Sequence, residues 1–233
     1  MPNTEFLIIS DGACSKNPGP GGWGTILVTP DKIVQEFGGH EDQTTNNRME
    51  LMGFYRGLQE IYKRRSQFSN TKSIRAISDS KYVLDGAKIY LPNWEKNSWK
   101  TSTGSEVKNQ DLWVKVSKGK KLLHEAGLRV IYELVKGHSG HSGNERVDVI
   151  AVKYTHEDPV ELYHGPLSEY GIDLEKFEKF ETCYLSYVSG KLQRHQTWNE
   201  CKAAVEGKPG AKYKKVSQAV EELETLAGWG LKR

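Results

Sequence analysis

The chain is poor in cysteine and has no long apolar run. Its three cysteines, Cys14, Cys183 and Cys201, are too few and too scattered over 233 residues for a disulfide framework or a four-ligand zinc site, and a reducing compartment fits. No run of about 18 apolar residues exists, and no N-terminal charged-then-apolar pattern precedes the first strand-like segment. Neither a membrane span nor a signal peptide is indicated, so the expectation is a cytoplasmic protein with no membrane partner and no obligate protein partner. A large excess of one charge is also missing: 33 basic residues against 30 acidic give a net +3.

The small net charge hides an uneven distribution. Residues 156–182 hold Glu157, Asp158, Glu161, Glu169, Asp173, Glu175, Glu178 and Glu181 against Lys176 and Lys179, while the regions on either side are basic. The length suits one sizeable core plus a smaller unit. The expected organisation is a first domain over 1–155, an acidic linker over 156–182 and a small basic domain over 183–233. Leu174, Phe177 and Phe180 recur at helical spacing in the linker, which reads as partly helical.

In the first region, "FLIISDG" is a β-branched-rich apolar run that reads as a strand ending at Asp11, and "WGTILV" and "KIVQEFG" read as two further strands of a meander. "TNNRMELMGFYRGLQEIYKRR" places Met49, Met52, Leu58 and Ile61 at helical spacing, with Thr45 or Asn46 as cap and a start near Glu50. "SIRAISDS" repeats the first pattern and ends in Asp79. "SKYVLDGAKIY" reads as helix, "VIYELVKG" as strand and "GNERVDVIAVKY" as helix. The fold class this predicts is α/β, a mixed five-stranded sheet flanked by helices, plus a small α+β C-terminal domain. In the latter, "CYLSYVSG" and "RHQTW" suit a hairpin, "NECKAAVEG" a helix, "AKYKKV" a strand and "QAVEELETLAG" a final helix.

Asp11 and Asp79 fall at comparable ends of two strands, Glu50 in the first turns of a helix and Asp148 on the last helix of the first domain. Any one of them alone is most simply a solvated turn or helix residue. Acids that face one another resist ionisation unless a cation compensates. Hard Mg²⁺ prefers oxygen ligands while keeping several waters, and a pair of such ions serves phosphoryl transfer. The stretch "VKGHSGHSGNERVD" raises a competing reading, zinc bound by His138 and His141. The chain offers no two further ligands at a convincing spacing for it.

Taken together and in order, "SDGACSKNPGPGGWG", "TTNNRMEL", "SDSKYV" and "GHSGHSGNERVD" resemble type 1 ribonuclease H over residues 5 to about 155, including the insert "NWEKNSWKTSTGSEVKNQDLW". The resemblance implies an endonuclease that hydrolyses the RNA strand of RNA–DNA hybrids and leaves 5′-phosphate and 3′-hydroxyl ends. Asp11, Glu50, Asp79 and Asp148 would hold two Mg²⁺, with Mn²⁺ as an alternative. His138, ten residues before Asp148 as in the family, would handle protons near the metals, and His141 is left as a structural residue of the turn. Gly12, Asn17, Asn46 and Asn47 would touch the RNA. Thr45 and Asn109 would receive a DNA phosphate, and the insert with Trp94, Trp99 and Lys100 would carry the DNA strand. Without the motifs, Asn17 is a loop residue, Asn46 a helix cap, and Trp94 and Trp99 packing residues. Gln43 stands where many members have an arginine, and Glu95 interrupts the basic insert; both imply a weaker grip there.

"TWNEC" and, beyond it, "YKK" resemble the small hybrid-binding domain of many cellular ribonucleases H, there N-terminal to the enzyme and here following it. Tyr184, Trp198, Tyr213, Lys214 and Lys215 would be its contacts, with double-stranded RNA as a second partner class. The bland alternative is a small appendage in which Trp198 is core and the lysines solvate the surface. Against the hydrolase stand a nucleic-acid-binding protein that kept the fold without strong catalysis and a DNA-junction nuclease of the same fold.

Overall fold

The structure, a computed structural model, describes residues 5–137, 140–158, 160–174, 182–217 and 219–231. The chain divides into two compact units, Met1–Lys176 and Phe177–Arg233, each built about its own core.

In the first unit, β1 (Phe6–Cys14), β2 (Gly19–Val28) and β3 (Ile33–Thr44) form the expected antiparallel meander. Strand β4 (Ser73–Ser78) joins β1 in parallel, β5 (Arg129–Leu134) joins β4 in parallel, and β6 (His164–Pro166) closes the far side against β3. The order is β5-β4-β1-β2-β3-β6, six strands where five were expected. Alternation along β1 sorts its side chains: Phe6 and Ile8 enter a core shared with α1 (Asn46–Arg64) and α4 (Gln110–Glu125), while Leu7 and Ile9 enter one shared with α5 (Ser142–Thr155). Between β4 and α4 lie α2 (Lys81–Asp85), a wide turn of π-helix over Gly86–Tyr90 and α3 (Leu91–Lys96).

Three differences from the sequence reading have local causes. Strand β1 runs on past Asp11, because Asp11, Gly12, Ala13 and Cys14 stay paired with Gly24, Trp23, Gly22 and Gly21 of β2. Helix α1 starts at Asn46, four residues before Glu50, since the Asn46 N–H finds an acceptor in Asn17 Oδ1 at 3.1 Å. Helix α4, which the sequence reading did not assign, buries Leu112, Trp113, Val116 and Leu123.

The segment expected to act as linker is in part a piece of the first unit. Beyond β6, Tyr170 and Leu174 are buried in its core, while Phe177 and Phe180 lie outside the described residues. The anchor is Glu36 on β3, whose side chain is fully buried. It accepts from Arg146 Nε at 2.7 Å and Nη2 at 2.6 Å, from the Tyr163 N–H at 2.9 Å and from the Tyr170 hydroxyl. Arg146 also donates to the Glu161 carbonyl at 2.8 Å. One buried carboxylate thus joins β3, α5 and the 160–174 segment.

In the second unit, β7 (Cys183–Val188) and β8 (Lys191–His195) form a hairpin, and β9 (Lys212–Val216) pairs with the other edge of β7. Ser189 and Gly190 both have positive φ, 51° and 80°, as a two-residue hairpin turn of the primed kind requires. Helix α6 (Trp198–Val205) begins with a capping box, Thr197 accepting from Glu200 N–H and Glu200 from Thr197 N–H, so part of the "TWNEC" signature is a helix start. Helix α7 (Ala219–Gly228) contributes Leu226 to a core of Cys183, Leu185 and Val216.

Replacing Glu36 by Ala leaves the Arg146 charge unpaired beside a cavity, and should cost about 3–5 kcal/mol in urea unfolding. Burial pushes the Glu36 carboxyl up, but hydrogen bonds from Arg146, Tyr170 and Tyr163 outweigh it and hold it below the ordinary value. Its contribution is therefore complete above the unfolded pKa of about 4.3 and is lost as the pH falls through the lower folded value. Glu36→Gln should flatten that part of the acid-unfolding profile; a profile superimposable on that of the parent would refute the role.

Candidate active site

Four elements deliver the four acids. Asp11 is paired within β1, and the parallel register of β1 and β4 matches Ile9 to Ile77, so the same offset carried two residues further brings Asp79 level with Asp11. Glu50 stands in the second turn of α1 and Asp148 in the second turn of α5.

Close backbone contacts seat these helices. A Cβ on Gly12 would stand 2.2 Å from the Glu50 nitrogen and 2.4 Å from the Met49 carbonyl carbon, so the chain beside Asp11 touches the α1 backbone directly. On the other face, a Cβ on Gly24, the pairing partner of Asp11, would stand 2.4 Å from the Val147 carbonyl oxygen of α5. Any side chain at either position would push an acid-bearing helix away.

The electrostatics follow from this crowding. Asp11 is 7% exposed, and its Oδ1 accepts the Gly12 N–H at 2.7 Å. Burial, then Asp79 and Asp148, and less strongly Glu50, push its carboxyl well above the ordinary aspartate range against that hydrogen bond. Glu50 is also pushed up, by burial first and by Asp79, although Ser80 and Asn46 work the other way. Ser80 Oγ donates to Glu50 Oε2 at 2.6 Å and Asn46 Nδ2 to Oε1 at 2.9 Å. Asn144 Nδ2 donates to Asp79 Oδ2 at 3.1 Å.

Ser80 and Asn144 were not among the residues expected at the site, although both lie inside quoted motifs, "SDSKYV" and "GNERVD". Ser80 caps α2 through the Val83 N–H, and its second bond is invisible to sequence. Asn144 is buried, and its Oδ1 has no hydrogen-bond partner among the described residues. His141 caps α5, its Nδ1 accepting the Asn144 N–H at 3.2 Å, as a structural turn residue should. His138 lies outside the described residues.

The donor set suits a hard divalent cation: two buried and two half-buried carboxylates, with Asp11 and Glu50 pushed up by burial and by neighbouring acids, plus an amide oxygen left over on Asn144. Among the described residues no three of these acids bring one ligand atom each within 4.8 Å of the others.

The other expected contacts are distributed around this centre. Asn17 and Asn46 are joined, as above. Asn47 is exposed, and Thr45 is the N-cap of α1 without a side-chain capping bond. Asn109 caps α4 with φ at 57°, its Nδ2 donating to the Tyr82 hydroxyl at 3.0 Å; Trp113 Nε1 donates to the same oxygen at 3.0 Å. Arg48 and Asp111 form a two-bond ion pair, 2.9 and 2.7 Å, tying the starts of α1 and α4 together. Trp94 stacks on Tyr90 and meets Trp113 edge-on, and Trp94 and Trp99 both pack against the larger core, as the packing reading has it. Glu95 does not interrupt a basic surface: it turns to Ser117 and to Lys121, 2.7 Å away, on α4.

In the second unit, Tyr184, Trp198 and Tyr213 form a continuous aromatic group, with ring centroids 5.8 and 5.3 Å apart. Trp198 and Tyr213 are 40% and 55% exposed, so Trp198 is not the core of an appendage. Tyr184 pairs with Lys215, which shares its face; Lys214 pairs with the buried Leu185 and stands on the opposite face.

A mixed sheet with acids gathered just past the parallel pairing of its two central strands, between helices on both faces, defines a nuclease-type hydrolase. A family described as RNase H matches residues 3–156, and one described as Ribonuclease H1 N-terminal domain matches residues 195–221. The chain is 43% identical over 165 residues to a ribonuclease H of Prochlorococcus marinus (strain NATL1A), covering 70% of this chain and 96% of that protein. It is 45% identical over 148 residues to one of Alcanivorax borkumensis (strain SK2), covering 63% and 89%. In fold it is similar to LC9-RNase H1, a type 1 RNase H with the type 2 active-site motif, at a TM-score of 0.55 and 24% identity over 73% of this chain and 82% of that one. It is also similar to the PFV RNase H domain, at 0.51 and 17% over 66% and 95%. The chain belongs to the ribonuclease H family.

Because Asp11 keeps its proton to a higher pH folded than unfolded, stability falls as the pH rises from about 3.9 through the folded value. The full penalty is present above it. Asp11→Asn should therefore unfold at a higher temperature than the parent at about pH 7, and the gain should vanish near the unfolded pKa. Equal melting temperatures across the range would contradict the crowding.

Proposed function

We propose that the protein hydrolyses the RNA strand of RNA–DNA hybrids endonucleolytically, leaving 5′-phosphate and 3′-hydroxyl ends, with Asp11, Glu50, Asp79 and Asp148 as the carboxylates that hold two Mg²⁺ or Mn²⁺. The observation that carries this reading is the burial of Asp11 among three other acids. A pair of divalent ions supplies Lewis-acid chemistry for a phosphodiester displacement. The chain's own part is positional. Ser80 and Asn46 hold the two oxygens of Glu50, and Asn144 holds one oxygen of Asp79. Gly12, Asn17, Asn46 and Asn47 would read the RNA 2′-hydroxyls, the chemical mark that separates RNA from DNA. Thr45 and Asn109 would take a DNA phosphate. His138 would pass protons to and from the reacting water and product.

Asp11→Asn should abolish Mg²⁺-dependent cleavage of a labelled hybrid while the variant stays folded. The same assay on matched hybrid, DNA duplex and RNA duplex should show cleavage of the hybrid alone. Undiminished cleavage by the variant would sink the carboxylate assignment, and preferential cutting of duplex DNA would sink the substrate.

The second unit is proposed to bind the hybrid through Tyr184, Trp198, Tyr213 and Lys215, with Lys214 adding charge from the other face. Truncating an exposed tryptophan at the centre of an interface typically costs about 2 kcal/mol or more. Trp198→Ala should therefore weaken hybrid binding roughly thirtyfold or more, raising KM and leaving kcat on saturating hybrid unchanged. An unchanged Kd at physiological salt would refute the binding role.

A further inference from the structure

Outside the acids of the active site, His40, Asp42 and Glu157 bring one potential ligand atom each within 4.8 Å of one another. At the end of β3, His40 and Asp42 stand two residues apart and project from the same face of the strand. Just past the end of α5, Glu157 takes a positive φ of 52°, with its N–H on the Tyr154 carbonyl at 3.2 Å. The same carbonyl receives His40 Nδ1 at 2.8 Å. One backbone oxygen therefore orients the His40 imidazole and anchors the backbone of Glu157.

We propose that His40, Asp42 and Glu157 bind a divalent transition ion of borderline softness, with Zn²⁺ as the reference case. Since Nδ1 carries the hydrogen that the Tyr154 carbonyl accepts, the lone pair of a neutral ring is on Nε2, which faces both carboxylates. Histidines that ligate metals characteristically donate their other ring N–H to a carbonyl or carboxylate in this way. The spacing fits as well. Nε2 is 3.0 Å from Asp42 Oδ1 and 3.9 Å from Glu157 Oε1, and one ligand atom from each residue lies within 4.8 Å of the others. An ion with bonds of about 2.0–2.1 Å in tetrahedral geometry sets its ligands about 3.3 Å apart; the 3.0 and 3.9 Å imidazole–carboxylate spacings bracket that value, so the three groups can fill three positions and leave the rest to water. The imidazole selects against Mg²⁺, which takes oxygen donors, and separates this site from the acid cluster.

The consequence is mechanical. The ion would join the end of β3 to the end of α5, the helix that carries Asp148.

Isothermal titration of the full-length protein with Zn²⁺ in excess Mg²⁺ should show a site that His40→Gln removes. Asp42→Asn, at a side chain 98% exposed and so without consequence for folding, should weaken the same site tenfold or more. Asp11→Asn should leave that isotherm unchanged, which distinguishes it from binding at the active-site acids. Wild-type binding by both His40→Gln and Asp42→Asn, loss of the site in Asp11→Asn, or no Zn²⁺ uptake by the parent up to millimolar concentration would overturn the proposal.

Discussion

Like charges do not gather by themselves, and the first unit is organised around holding four carboxyls against their mutual repulsion. Asp11 is buried and faces the other three, and its carboxyl is pushed well above the ordinary range by burial and by Asp79, Asp148 and Glu50. What overcomes the repulsion is backbone geometry set at a distance from the charges. The parallel pairing of β1 and β4 brings Asp79 level with Asp11, and bare backbone at Gly12 and Gly24 admits α1 and α5 to contact distance. Hydrogen bonds from Ser80, Asn46 and Asn144 then fix the orientation of individual carboxylates without adding positive charge. A cationic side chain in their place would neutralise the cluster and compete with a metal; neutral donors orient the acids and leave the field intact.

The Glu36 network performs the complementary task on the outer face of α5. Arg146 lies two residues before Asp148, and its guanidinium is held by a buried carboxylate on β3 and by the 160–174 segment. Helix α5 is thus fixed from the sheet side by Gly24 and from the flank by Glu36. Gly143, in its first turn, is closed over by Leu174, whose carbonyl oxygen would stand 3.0 Å from a Cβ there. The family match ends at residue 156, yet residues 160–174 complete both the sheet and this clamp. In physical terms the first unit therefore extends past the matched region.

Much of this was legible in the sequence, and the misses have specific causes. The four acids were named only because four motifs in order resemble type 1 ribonuclease H; each alone reads as a solvated turn or helix residue, and the hydrogen bonds of Ser80 to Glu50 and of Asn144 to Asp79 join residues too far apart in sequence to be foreseen. The small unit was legible element by element, since its hairpin turn and capping box are local chemistry. Helix α4 was hidden because Lys118, Gly119, Lys120 and Lys121 interrupt its apolar stripe, and Lys120 is partly buried, its ammonium reaching the Ala87 carbonyl. Strand β6 is three residues long and lies in an acidic stretch, too short for periodicity to register. Glu95 and Arg48 were misread or missed because their partners, Lys121 and Asp111, come from elsewhere in the chain.

Those ion pairs bear on how the proposed substrate would be gripped. Arg48 is the basic residue of the "TNNRMEL" stretch beside Thr45, and Asp111 already holds both of its terminal nitrogens. Gln43 supplies no charge where many family members have an arginine. Trp94 spends its faces on Tyr90 and Trp113. The surface proposed for the DNA strand therefore combines rigid, already partnered groups with the exposed lysines of the insert, Lys96, Lys100 and Lys108. Such a surface would position a phosphate through Thr45 and Asn109 while those lysines supply part of the counterion release. On the proposed reading the second unit adds to that grip, where exposed aromatic rings adjoin Lys215.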